Sequence, residues 1–218
     1  MELHPFHGQL AVAQAHDLAV VRLGRDQQVL GQRGALPGHR VVSDDLEALE
    51  VVAAEADLIG YSFVQRPADL HRLDAELAKR RPAGLPPQAV VLKIETPLAV
   101  RNLPQLIVTA AATRPVAVMI ARGDLAVELG FARLAEIQEE ILWLCEAAHV
   151  PVIWATQVLE HLVKKGTPSR GEMTDAAMAA RAECVMLNKG PYILKAITEL
   201  DTLLARMDGH QHKKTPQL

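Results

Sequence analysis

The sequence predicts an α/β fold and, within that class, a partial (β/α) barrel of about five βα units. From about Ser43 onward, short β-branched apolar runs alternate with amphipathic helical patterns. The strand ends fall near residues 64, 94, 121, 155 and 188, a spacing of about thirty residues, the size of one βα unit. Three of these strands run straight into polar residues: Val90 to Thr96 (VVLKIET), Val118 to Leu125 (VMIARGDL) and Val152 to Gln157 (VIWATQ). A barrel of parallel strands gathers its site in this way, at the face where several strands end.

Each element has its own signal. Asp44 to Ala56 carries Leu46, Leu49, Val52, Ala53 and Ala56 at helical spacing, with Ser43 placed to cap. Leu58 to Val64 is a predicted strand. Pro67 to Arg80 is an amphipathic helix with Leu70, Leu73 and Leu77 on one face. The Pro-rich stretch Pro82 to Pro87 is a surface connection before the strand Ala89 to Ile94. Pro97 to Ala111 is predicted helical in part, and Val116 to Ala121 a strand. Phe131 to His149 is the longest predicted helix, with Leu134, Ile137, Ile141, Leu144 and Cys145 inward. Strand Val150 to Ala155, helix Asp175 to Ala182, strand Cys184 to Leu187 and helix Tyr192 to Met207 complete the pattern. A closed barrel of this class needs eight strands. Leu10 to Ala13 and Leu18 to Leu23 could add a hairpin without following helices, and an open five-stranded sheet is the other arrangement. The polar tail from Asp208 is expected to fray.

The 218 residues are 50% hydrophobic and only 3% aromatic, so the core is built from Ala, Val, Leu and Ile. A net charge of −3 and the lack of aromatic platforms argue against a nucleic-acid partner. Cys145 and Cys184 have no ligand or disulfide spacing and are expected as small buried hydrophobes in a reducing compartment. No run reaches the length of a membrane span, and the N-terminus lacks the order of a signal peptide, so a cytoplasmic location is expected. His4 and His7 have loose metal spacing at an unanchored terminus.

Glu95 and Asp124 end neighbouring strands. One or two carboxylates with substrate oxygens are what Mg²⁺ prefers, though surface acids are common. Gly123 lets the backbone approach a ligand closely at the strand-to-loop junction. Lys93 lies two residues before Glu95 and projects to the same side of the strand, either as a structural ion pair or as a cation for a phosphoryl group. Thr156 offers a hydroxyl for substrate or proton delivery, although a lone Thr there is more often a helix cap. Ser62 and Arg66 flank an earlier strand end and face either the site or solvent. Ser169 and Glu172 have capping-box spacing.

These segments together resemble pyruvate kinase from about Gly34 to Leu200. The resemblance rests on Lys93 to Glu95 (KIE), Ala121 to Leu125 (ARGDL), Ala155 to Glu160 (ATQVLE), Pro168 to Glu172, Ser62 to Val64 and Leu36 to Gly38. It implies strands four to eight of a TIM barrel at 36–207, a lid-domain remnant or lead-in at 1–35, and a disordered tail at 208–218. It also implies phosphoryl transfer between phosphoenolpyruvate and ADP, giving pyruvate and ATP. Lys93 would stabilise the transferred group and Thr156 would take part in protonation. Glu95 and Asp124 would bind Mg²⁺ or Mn²⁺, and the Gly123 and Asp124 amides would hold the substrate carboxylate. The family also uses K⁺, but the strands that carry its ligands and the nucleotide-gripping arginines have no counterpart here. Gln65 stands where the family commonly has Arg, and Asn188 to Pro191 replaces a longer Ser-Gly-Glu-Thr loop. The implied assembly is a homo-oligomer or a complementing barrel half, with little activity for the chain alone. The stretch Ile94 to Pro97 also resembles the Mg-dependent aldolase and citrate-lyase-like barrels that act on pyruvate enolate. A non-catalytic fragment is the remaining alternative.

Overall fold

The computed structural model describes residues 11–13, 18–21, 48–208 and 210. Its strands are β1 (Ala11–Ala13), β2 (Leu18–Val21), β3 (Leu58–Tyr61), β4 (Ala89–Ile94), β5 (Val116–Ala121), β6 (Val152–Val158) and β7 (Cys184–Leu187). Its helices are α1 (48–55), α2 (Pro67–Arg80), α3 (Pro97–Ala111), α4 (Arg122–Leu129), α5 (Phe131–Ala147), α6 (Glu160–Lys165), α7 (Arg170–Met178) and α8 (Ile193–Met207). The chain divides into two compact units, His16–Val150 and Met1–Ala15 with Pro151–Leu218.

In the unit of residues 16–150, β2, β3, β4 and β5 pair in parallel, with Leu58 opposite Ala89 and Leu92 opposite Val118. Val90, Val91, Leu92 and Ile94 of β4 are all buried. Such a continuous run is what a parallel strand covered on both faces requires. Leu70, Leu73 and Leu77 of α2 are buried as their spacing predicts. The Asp69 carboxylate reaches back to accept the N–H groups of Gln65 and Arg66, closing the start of α2.

Helix α3 is whole where the sequence predicts only a partial one. Pro104 inside it costs about 3 kcal/mol. Burial of Leu103, Leu106 and Ile107 contributes about 1.5–3 kcal/mol each and outweighs that. Helix α4 is a correction: Arg122 to Asp124 begins a helix rather than a loop. The helix buries only Arg122 and Leu125, so it shows no apolar stripe, and Gly123 weakens its propensity further. In α5 the buried residues are Ile137, Ile141, Leu142 and Cys145, while Leu134 and Leu144 are only partly covered.

In the other unit, β1 and β6 flank β7 in parallel, with Ala11 opposite Cys184 and Trp154 opposite Val185. The N-terminal strands therefore do not form the expected hairpin. β1 pairs with β7 and β2 with β3, both in parallel. The intervening Gln-Ala-His-Asp lacks the Gly-containing turn that a tight hairpin demands. Cys145 is buried as expected, but Cys184 is only partly so. Among the described residues no helix is long and apolar enough to cross a membrane. Ser43, Leu46, His4, His7 and Leu36 to Gly38 lie outside the described residues, as does the tail beyond Asp208 apart from His210.

Candidate functional site

The strand β4 delivers Lys93 at its penultimate position and Glu95 one residue past its end. The two-residue spacing puts both on one side of the strand, and they form an ion pair, Lys93 Nζ to Glu95 Oε1 at 2.8 Å. Glu95 is only 2% exposed, and the Lys93 side chain 18%. A carboxylate buried so deeply needs every partner it can find. Its second oxygen, Oε2, accepts the backbone N–H of Phe63. Lys93 Nζ also donates to Ser62 Oγ at 2.6 Å. Ser62 is buried next to the end of the neighbouring strand β3, against Lys93 rather than in the solvated loop that was its other expectation.

Phe63 has φ 54°, in the left-handed region. A bulky residue there is strained, and such strain concentrates where a backbone group must be aimed. Here the aimed group is the N–H that Glu95 accepts. Sequence reasoning missed this contact because a backbone amide leaves no trace in residue type. Arg66 is exposed and stands at the start of α2, where its N–H donates to Asp69 Oδ2.

Asp124 lies in the first turn of α4, directly after β5, and is exposed. A helix N-terminus favours a carboxylate there. Because β4 and β5 are paired neighbours, Glu95 and Asp124 stand at the ends of adjacent strands, with Gly123 beside Asp124 in the same turn. Among the described residues no group of three or more His, Cys, Asp or Glu side chains is placed to hold a metal ion. Two hard oxygen donors suit Mg²⁺ or Mn²⁺, which keeps several positions for water and substrate oxygens.

Thr156 belongs to β6 in the other unit. Opposite β7, residues 155–157 face only Met186, so β6 bulges there. Thr156 and Gln157 have φ 65° and 59°, and Leu159 has φ 49°. For a β-branched residue this is an outlier, and it explains why β6 runs past the predicted end at Ala155. The cap of α6 is Leu159, which makes no side-chain cap bond, so Thr156 is not the helix cap. Ser169 and Glu172 form the expected capping box at α7, with bonds of 3.2 and 2.9 Å.

The segment Asn188 to Pro191 is docked on α6. Asn188 Nδ2 donates to Glu160 Oε2 at 2.6 Å, and the Tyr192 N–H donates to Val163 O at 3.1 Å. Lys164 and then Asn188 hold the Glu160 carboxyl below the usual carboxylate range. A Cβ added at Gly190 would sit 2.5 Å from Val163 Cγ1 and 2.8 Å from Val163 O. Gly190→Ala is therefore expected to destabilise the protein by about 1–3 kcal/mol, an overpacking cost. An unchanged urea midpoint would show that the loop yields instead.

The sequence family described as pyruvate kinase, barrel domain, matches residues 23–196. The chain is 33% identical over 192 residues to plastidial pyruvate kinase 3 of Arabidopsis thaliana, covering 85% of this chain and 32% of that protein. It is 30% identical over 230 residues to a pyruvate kinase of Methylorubrum extorquens, covering 94% and 45%. A crystal structure of a pyruvate kinase from Cryptosporidium parvum superimposes with a TM-score of 0.69 at 28% identity, covering 76% of this chain and 35% of that one. The parallel strands and crossover helices are thus those of a partial TIM barrel. The chain spans about a third to under half of the length of these relatives.

Proposed function

As the chain belongs to the pyruvate kinase family, we propose that it carries the metal- and phosphoryl-handling part of a phosphotransferase site. The reaction is transfer between phosphoenolpyruvate and ADP, giving pyruvate and ATP. The observation that supports this reading is the buried Lys93–Glu95 pair with Ser62, set beside the strand that leads to Asp124.

In this proposal Glu95 and Asp124 hold Mg²⁺ or Mn²⁺, which when bound neutralises charge on phosphoryl and substrate oxygens. Lys93 sets its ammonium against the phosphoryl group as charge shifts away from it. The backbone amides of Gly123 and Asp124, at the start of α4, orient the substrate carboxylate. Thr156 holds the proton destined for the methylene carbon. The family match favours this reading over the lyase one, which rested on Ile94 to Pro97; there Thr96 caps α3 by accepting the Ala99 N–H.

Protonation can be tested without nucleotide. Pyruvate in D₂O with Mg²⁺ is expected to exchange its methyl protons in the presence of the protein, followed by NMR. Lys93→Met and Thr156→Ala should each slow the exchange by about a hundredfold or more, the scale of one positioned acid–base or charged group. Exchange that is independent of metal, or indifferent to both substitutions, would overturn the proposal.

A further inference from the structure

We infer that Ser62 is a positioning residue that receives the Lys93 ammonium when a divalent cation takes Glu95, so that Ser62 governs how tightly the cation binds. The inference rests on the assignment of Glu95 as a metal ligand. As the structure stands, both Glu95 oxygens are engaged, Oε1 by Lys93 Nζ at 2.8 Å and Oε2 by the Phe63 N–H. A cation approaching this carboxylate must compete with an ammonium already in contact with it. Lys93 lies close to a second acceptor, Ser62 Oγ, at 2.6 Å. Ser62 is 7% exposed, so its hydroxyl lies largely out of reach of solvent.

The consequence follows from counting partners in the two states. With Glu95 facing Lys93, the ammonium has two protein acceptors. With Glu95 turned over to a metal, it keeps Ser62 alone among the described residues. Deleting the hydroxyl costs little in the first state, because the carboxylate remains. In the second it leaves a half-buried ammonium without a protein acceptor, and an unmet buried donor is the costlier case. The Phe63 N–H holds Oε2 in both states and keeps the carboxylate from rotating away. Ser62→Ala therefore shifts the balance against the metal, and Lys93→Met, which removes the competitor, shifts it towards the metal.

The test is Mn²⁺ binding to the full chain, read as the free-ion signal in electron paramagnetic resonance. Ser62→Ala is expected to weaken Mn²⁺ binding by about threefold to tenfold, and Lys93→Met to tighten it by a similar factor, the scale of one hydrogen bond to a charged group. Ser62→Thr, which keeps the hydroxyl, should bind as the parent does. In the Lys93→Met background, Ser62→Ala should change nothing, because Ser62 acts only through Lys93. A general loosening of the fold would persist in that background, so an equal effect there overturns the inference. If Glu95→Gln abolishes Mn²⁺ binding while Ser62→Ala leaves it intact, the inference fails and the metal assignment stands. If Glu95→Gln binds Mn²⁺ as well as the parent, the metal assignment fails and the inference goes with it.

Discussion

Replacing Glu95 by alanine is expected to cost about 3–4 kcal/mol of stability and to abolish divalent metal binding. The side chain is buried and accepts from Lys93 and from the Phe63 amide at once. Its removal leaves an ammonium and an N–H facing a cavity. Breaking a buried pair in this way typically costs about 3–5 kcal/mol. The Lys93 side chain retains Ser62 and some contact with water, which places the loss towards the lower end. Glu95→Gln keeps an acceptor for Phe63 and should recover part of the stability but none of the metal affinity. Urea unfolding with matched Mn²⁺ titrations separates the two effects. A Glu95→Ala protein as stable as the parent would mean that the network is solvated and contributes nothing to the fold.

The parts of this fold that could be read in the sequence are those where burial and periodicity agree. The strands β4, β5 and β7 and the helix α2 occupy the predicted residues, because each is an apolar run or stripe bounded by its own turn chemistry. Helix α4 escaped because it buries almost nothing, and the end of β6 because its bulge places Thr and Gln rather than Gly or Asn in the left-handed region. The site divides along the same line. Lys93 and Glu95 were legible from a two-residue spacing on a strand, and Ser62 was legible as a candidate. The Phe63 amide and the left-handed turn at Thr156 are backbone features that tertiary packing imposes, and no residue type announces them.

That packing can be tested at Trp154. The core has few aromatic residues, and Trp154, fully buried, is the largest side chain within it, whereas Trp143 is 61% exposed on α5. Trp154 immediately precedes the bulge of residues 155–157. Left-handed conformations at Thr156, Gln157 and Leu159 cost on the order of 1–3 kcal/mol each. They persist because Trp154, Ala155, Val158 and Leu159, on either side of the strained pair, are all fully buried. Trp154→Ala is expected to cost about 3–5 kcal/mol, comparable to the strain it helps to restrain. The turn should then relax before the rest of the protein unfolds. Hydrogen exchange at residues 155–159 would quicken far more than at β4, and any pyruvate proton exchange would fall with it. Trp154→Phe should recover most of the stability, and Trp143→Phe should change neither quantity. Uniform quickening of exchange across β4 and β6 would show that the turn is not held by local burial, and the strain at Thr156 would then need another source.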